Sequence, residues 1–302
     1  MASWRGSPEH PIVSVICHTY NHADYVRDAL NGFLIQETDF PFEIIVHDDA
    51  STDGTPTILE EYKLRFPEIV RLILQDENQL SQGKRPQRAS FPLARGKYIA
   101  FCEGDDYWID PEKLQKQVSL LEREDSVSVV YTDSIPFSDG KALAVDFGGA
   151  RRDLSSNELK HGPAIFTLTS CFRNVIGAPP EVNVIKYGDQ FLWARLGFHG
   201  SGRYMDEVLP SFYRVHRGGV HSQADDNARR VMQFESDFGM YLYFARTDEP
   251  ELAQHFLEDA CIHTQGFQGV SPRVVRAFLP MMRTITRLGR FSKRLVGKAV
   301  GR

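Results

Sequence analysis

The sequence is short of several things. It has four cysteines in 302 residues, Cys17, Cys102, Cys171 and Cys261, far apart and with no CxxC pair. That spacing excludes a disulfide framework or a zinc knuckle and leads us to expect free thiols in a reducing compartment. No stretch of 18 uncharged apolar residues occurs, so no transmembrane helix is expected. Residues 1–11 contain no apolar segment of the kind a secretory signal needs. Internal repeats and low-complexity segments are also missing. What remains, 42% hydrophobic and 25% charged, is the balance of a folded globular chain.

Charge is distributed unevenly. Residues 273–302 hold nine basic residues and no acid, so the preceding 272 carry 26 basic against 40 acidic, a net of −14. A body of that sign repels nucleic acid, and no nucleic-acid partner is expected. In the tail, Arg273, Arg276, Arg283, Arg287, Arg290, Lys293, Arg294, Lys298 and Arg302 are interleaved with apolar residues, and Pro280 splits the segment into two shorter amphipathic helices. Such helices can lie on an anionic membrane surface, or they can pack on the acidic body or on a second subunit of a homo-oligomer.

The first half alternates strand-like and helix-like segments. Ile12–Cys17, Glu43–His47, Val70–Leu74, Tyr98–Cys102 and Val127–Tyr131 are apolar runs of strand length. Between them, Ala23 to Leu34, Ile58 to Phe66 and Leu114 to Leu121 repeat at helical spacing. This order predicts an α/β fold, a mostly parallel sheet flanked by helices, with ligands beyond the carboxyl ends of the strands. Residues 1–225 read as one catalytic domain, with about 11–133 on the nucleotide side and about 134–225 forming the other wall of a cleft. Residues 226–302 read as a helical extension.

The loops after the strands hold the chemistry. Thr19-Tyr20-Asn21 places an aromatic ring and a turn residue after the first strand. His47-Asp48-Asp49-Ala50-Ser51-Thr52-Asp53-Gly54-Thr55 sets two adjacent carboxylates after the second. One could accept a ring N–H from a nucleobase, and the other could brace the turn; Ser51, Asp53 and Thr55 read as cap and turn residues. Cys102-Glu103-Gly104-Asp105-Asp106-Tyr107-Trp108 runs a buried strand into three acids within four positions. Clustered hard oxygen ligands of this kind suit Mg²⁺ or Mn²⁺ bridging to phosphates.

Taken in order, these motifs, with Ala94-Arg95-Gly96-Lys97-Tyr98-Ile99-Ala100 between the second and third, resemble the family 2 glycosyltransferases over roughly residues 11–225. The resemblance implies a GT-A fold, a nucleotide-sugar donor, a divalent cation and transfer with inversion to a glycan or lipid-linked acceptor. It implies a role in surface polysaccharide or glycoconjugate synthesis, in the cytoplasm or peripheral at the inner face of a membrane. Carried over by position, Thr19, Tyr20 and Asn21 fall beside the nucleotide, Asp49 resembles the nucleobase-binding aspartate, Asp105 the acid near the ribose, and Asp106 the metal ligand. Tyr187-Gly188-Asp189-Gln190 resembles the segment carrying the catalytic base, here Asp189, for which the alternative is a helix N-cap. Thr169 and Ser170 resemble acceptor-side residues, or are plain strand residues. Tyr213 to Ser222 resembles a closing loop in which His216 reaches the diphosphate. Gln82-Gly83-Lys84-Arg85 is another cationic candidate near the nucleotide, but reads first as a solvated turn. A sugar-nucleotide pyrophosphorylase would carry a glycine-rich loop with Arg and Lys after Ile12, and this chain does not. A nucleotide-binding interaction protein on the same scaffold is the remaining alternative.

Overall fold

The computed structural model describes residues 4–219 and 225–263. The basic tail at 273–302 lies outside the described residues. Strands and helices alternate through the first half: β1 (Val13–Thr19), α1 (Val26–Leu34), β2 (Phe42–Asp48), α2 (Thr55–Arg65), β3 (Val70–Leu74), the short α3 (Gln87–Ser90), β4 (Tyr98–Phe101), α4 (Lys113–Arg123) and β5 (Val127–Tyr131). Then come β6 (Ser134–Ser138), β7 (Lys141–Ala142), α5 (Ser156–Lys160), β8 (Cys171–Arg173), α6 (Gly188–Leu196), β9 (Ser201–Tyr204), β10 (Ser211–Arg214), α7 (Asp226–Arg246) and α8 (Pro250–His263).

The main sheet has seven strands in the order β3-β2-β1-β4-β8-β5-β9. Every pairing in it is parallel except those of β8, which runs antiparallel between β4 and β5. β1, β2, β4 and β5 are almost completely buried, because helices cover both faces, and this is why they read as unbroken apolar runs. Val13, Val15 and Cys17 of β1 pack with α1 and α4 on one face, while Ile16 points to the other with Ile99, Phe101, Phe172 and Trp193. A second sheet, β10-β6-β7, stands beside the first, with β10 parallel to β6. Sequence periodicity did not reveal it, since its strands are short and half-buried. α7 and α8 pack on each other and bury Met240, Phe244, Leu252 and Phe256 against Val182, Ile185 and Phe191. The helical extension is thus fastened to α6 and the turn before it.

One buried ion cluster ties the sheet edge together. Glu43 on β2 is fully buried and accepts from Ser14 Oγ (2.7 Å), the Arg95 amide (2.9 Å), the Arg95 guanidinium (2.8 and 3.0 Å) and Arg71 Nη1 (3.0 Å). Burial alone raises its pKa, but the hydrogen bonds from Arg95, Ser14 and Arg71 outweigh it and hold the carboxyl below its ordinary 4.5. A carboxylate with a lowered folded pKa adds stability above its unfolded pKa and loses it as the pH falls through the folded one. Glu43→Gln should therefore cost about 3 kcal/mol at neutral pH. Thermal melts between pH 7 and pH 3 should show a shallower acid loss in the variant than in the wild type; parallel curves would count against this account.

Candidate active site

The strand ends converge on one cleft of about 500 Å³. Its walls come from the loops after β1, β2 and β4, the turn before β8, the start of α6 and the end of β10. Loops after parallel strands meet here because the strand order reverses beside β1, leaving a crevice between the diverging connections.

After β1, Asn21 takes a left-handed φ of 56°, and after β2, Ala50 takes 61°. Both turns lock to each other: the Asn21 amide donates to Ser51 Oγ (2.8 Å), and Asn21 Oδ1 accepts from the Thr52 amide (2.8 Å). Asn21 therefore braces the loops and does not line the cleft. Its neighbour Tyr20 does, half-exposed, and Thr19 lies beneath it with its hydroxyl on Asp48 Oδ1 (2.8 Å). The paired acids divide as the sequence allows. Asp48 braces the turn, accepting from the Ser51 amide (2.9 Å) and hydroxyl (2.5 Å). Asp49 lines the cleft and accepts from the amides of Gln79 (2.7 Å) and Leu80 (3.0 Å). Each of its oxygens keeps a lone pair for a ligand donor.

The acid loop after β4 is anchored by Trp108, which is buried, donates Nε1–H to the Leu168 carbonyl (2.7 Å) and meets Phe33 edge-on at 4.8 Å. Above that anchor the three acids point in different directions. Glu103 accepts from the Thr167 hydroxyl on both oxygens (3.1 and 3.0 Å), and burial together with the Asp105 charge pushes its pKa up to about 7. Asp105 Oδ2 lies 3.0 Å from His216 Nε2 and 3.7 Å from His22 Nε2. Burial raises the Asp105 pKa, but the contacts with His216 and His22 prevail and lower it. Asp106 also lines the cleft, 4% exposed, with Oδ1 accepting from the Arg214 amide (2.7 Å). Burial and the neighbouring acids hold its pKa well above the usual range.

His22, Asp105 and His216 form the one His/Cys/Asp/Glu group among the described residues whose ligand atoms all lie within 4.8 Å of one another. Asp106 is not part of it, although it lines the same cleft. His22 went unnoticed in the sequence because a lone histidine in a helix approach carries no pattern. Its Nδ1 is buried and without a hydrogen-bond partner. Gly104 must stay small: an added Cβ would overlap Thr19 Cγ2 and come within 3.1 Å of His22 Nδ1. Gly104→Ala should destabilise the fold by about 1–3 kcal/mol and weaken Mn²⁺ binding. Urea melts and a Mn²⁺ titration check both, and an unchanged pair of values would refute the packing argument.

On the opposite wall, Asp189 sits in the first turn of α6 and lines the cleft. The N-cap position is Tyr187, with no side-chain capping bond, so the capping role does not fall to Asp189. Thr169 and Ser170 are fully buried and bond to the Phe166 and Thr167 carbonyls (both 2.8 Å). They face away from the cleft, and Phe166, Thr167 and Leu168 line it in their place. Arg85 is not a solvated turn residue: it lines the cleft and donates to the Ile185 and Lys186 carbonyls. Arg214 is engaged internally, pairing with Asp28 (2.7 Å) and lying over the rings of Tyr25 and Phe137.

The family model for glycosyl transferase family 2 matches residues 14–161. An uncharacterized protein of Mycobacterium tuberculosis is 36% identical over 231 residues, covering 73% of this chain and 64% of its own length. The chain thus spans a little under two thirds of that relative. A putative teichuronic acid biosynthesis glycosyltransferase of Bacillus subtilis, TuaG, is 30% identical over 76% of this chain and 88% of its own. Among solved structures, Staphylococcus aureus TarS in complex with UDP-GlcNAc aligns with a TM-score of 0.58 at 20% identity, over 82% of this chain and 72% of that one. The Pyrobaculum calidifontis mannosyltransferase PcManGT, in complex with GDP-Man and Mn²⁺, aligns with a TM-score of 0.54 at 18% identity, over 93% and 83%. The fold is GT-A. The chain belongs to glycosyl transferase family 2. No helix among the described residues is long and apolar enough to cross a membrane.

Proposed function

We propose that the protein transfers a sugar from a nucleotide diphosphate donor to an acceptor hydroxyl, with inversion at the anomeric carbon. The observation that carries this reading is the meeting, in one cleft, of a nucleotide-type wall (Tyr20, Asp49, Asp105) and the α6 wall that carries the Asp189 carboxylate. Tyr20 offers a ring face to the base, and Asp49 a carboxylate already oriented by two amides. Asp105, His216 and His22 would hold a divalent cation; one carboxylate and two imidazoles suit Mn²⁺ better than Mg²⁺, which prefers oxygen throughout. When bound, that cation neutralises charge growing on the leaving diphosphate. The PcManGT complex with Mn²⁺ supports such a cation here.

Asp189 takes the proton of the acceptor hydroxyl as its oxygen forms the new bond to the anomeric carbon. The bond from that carbon to the diphosphate oxygen breaks, and its electron pair leaves with the nucleoside diphosphate. A single displacement needs one base and no enzyme nucleophile, which matches one carboxylate on that wall. The likeness to TuaG, a putative teichuronic acid biosynthesis glycosyltransferase, supports a polysaccharide or glycoconjugate acceptor. A thermal-shift screen of UDP-, GDP- and dTDP-sugars with Mn²⁺ tests the donor reading, since a ligand of the folded state raises the melting temperature. No shift with any donor would overturn it.

A further inference from the structure

Two guanidinium groups sit at the α6 end of the cleft, neither in direct contact with a carboxylate of the described residues. Arg195, on α6, is 8% exposed. Its Nη2 donates to the Gly177 carbonyl (2.5 Å), its plane lies over the Phe191 ring at 5.1 Å, and its Nε is buried with no partner. Arg85 reaches across from the loop before α3 and donates to two main-chain carbonyls, Ile185 (2.7 Å) and Lys186 (3.2 Å). Neither forms an ion pair among the described residues. Of the nearby acids, Glu181 pairs with Arg246 (2.6 Å) and Glu235 with Lys186 (3.7 Å), and the charges of Asp189 and Glu235 reach Arg85, and that of Glu181 reaches Arg195, only at longer range. Gln87 Oε1, at the same end and beside Gly188, is likewise buried and unpartnered. Burying charge without compensation is costly, and a neutral carbonyl compensates only in part. Arg195, Arg85 and Gln87 all line the cleft with Asp189.

We propose that Arg195 and Arg85 bind an anionic group, phosphate or carboxylate, carried by the acceptor, and that Gln87 Oε1 takes one of its hydroxyls. This rests on the reading of Asp189 as the base facing the acceptor. Guanidinium groups match both anions in geometry and stay charged when buried. The acceptor is then a charged sugar, not a neutral one, and its anion sets how its hydroxyl meets Asp189.

Calorimetric titration of the full chain with glucose 1-phosphate, glucuronic acid and methyl glucoside tests this without any donor. One or both charged sugars should bind at least tenfold more tightly than methyl glucoside, and the tighter one identifies the anion. Arg195→Gln and Arg85→Gln should each remove most of that preference, while Arg195→Lys keeps part of it. If Arg195→Gln does not fold, Arg85→Gln alone decides. Equal binding of the three sugars, no binding of either charged sugar at millimolar concentration, or an unchanged preference in Arg85→Gln overturns the proposal. So does an equal loss of nucleotide diphosphate affinity in Arg85→Gln, which would assign the cations to the donor. Failure of every nucleotide to bind would instead sink the transfer reading and leave the sugar titration standing.

Discussion

Asp189→Asn is expected to lower turnover by about two orders of magnitude or more while leaving donor affinity within a few-fold of wild type. Asparagine keeps the size and one acceptor oxygen of aspartate but cannot take a proton. The position in α6 makes the variant informative: because Tyr187 occupies the N-cap, an effect on Asp189 is not a capping effect. Steady-state transfer rates and a separate donor titration would settle the matter. A normal rate in the variant would remove Asp189 from the chemistry and require another base in the cleft.

The second large effect separates two adjacent acids. Asp105→Asn should abolish the Mn²⁺-dependent part of nucleotide diphosphate binding, weakening it by ~100-fold or more. Asp106→Asn should leave that part nearly intact. Its side chain needs only an oxygen to accept the Arg214 amide, which asparagine provides. Titrations with and without EDTA distinguish the variants. The reverse pattern, loss in Asp106→Asn and retention in Asp105→Asn, would return the cation to Asp106.

The choice between these two neighbours shows where sequence reading stops. β1, β2, β4 and β5 were visible because both faces are buried and apolar residues dominate them. The division of labour between Asp48 and Asp49 was also foreseeable, since one of two adjacent carboxylates at a strand end must find local donors. Glu103, Asp105 and Asp106 all line the cleft, but which of them lies beside His22 and His216 depends on the path of the chain through Gly104, and composition does not encode it. His22 and His216 carry no joint pattern, because only folding brings them together. Thr169 and Ser170 read as accessible polar residues, yet a tight turn consumes both hydroxyls internally. Arg195 was hidden in an apolar helical run, where a long basic side chain reads as a surface residue. The antiparallel insertion of β8 between β4 and β5 leaves no trace in periodicity.

The parallel pairing of β10 with β6 has a consequence for assembly. It is what carries His216 to Asp105, a residue 111 positions earlier, and the Tyr107–Phe212 bridge fixes the approach. Contacts between such distant parts of a chain form late, after the loop-closure entropy has been met. The three ligand groups therefore exist as a set only in the fully assembled molecule, not in a partly folded chain that has completed β1 to β5. Cation binding would then select the finished fold and slow its unfolding. The Mn²⁺ dependence of the unfolding rate would report the closure of the second sheet, not the stability of the first.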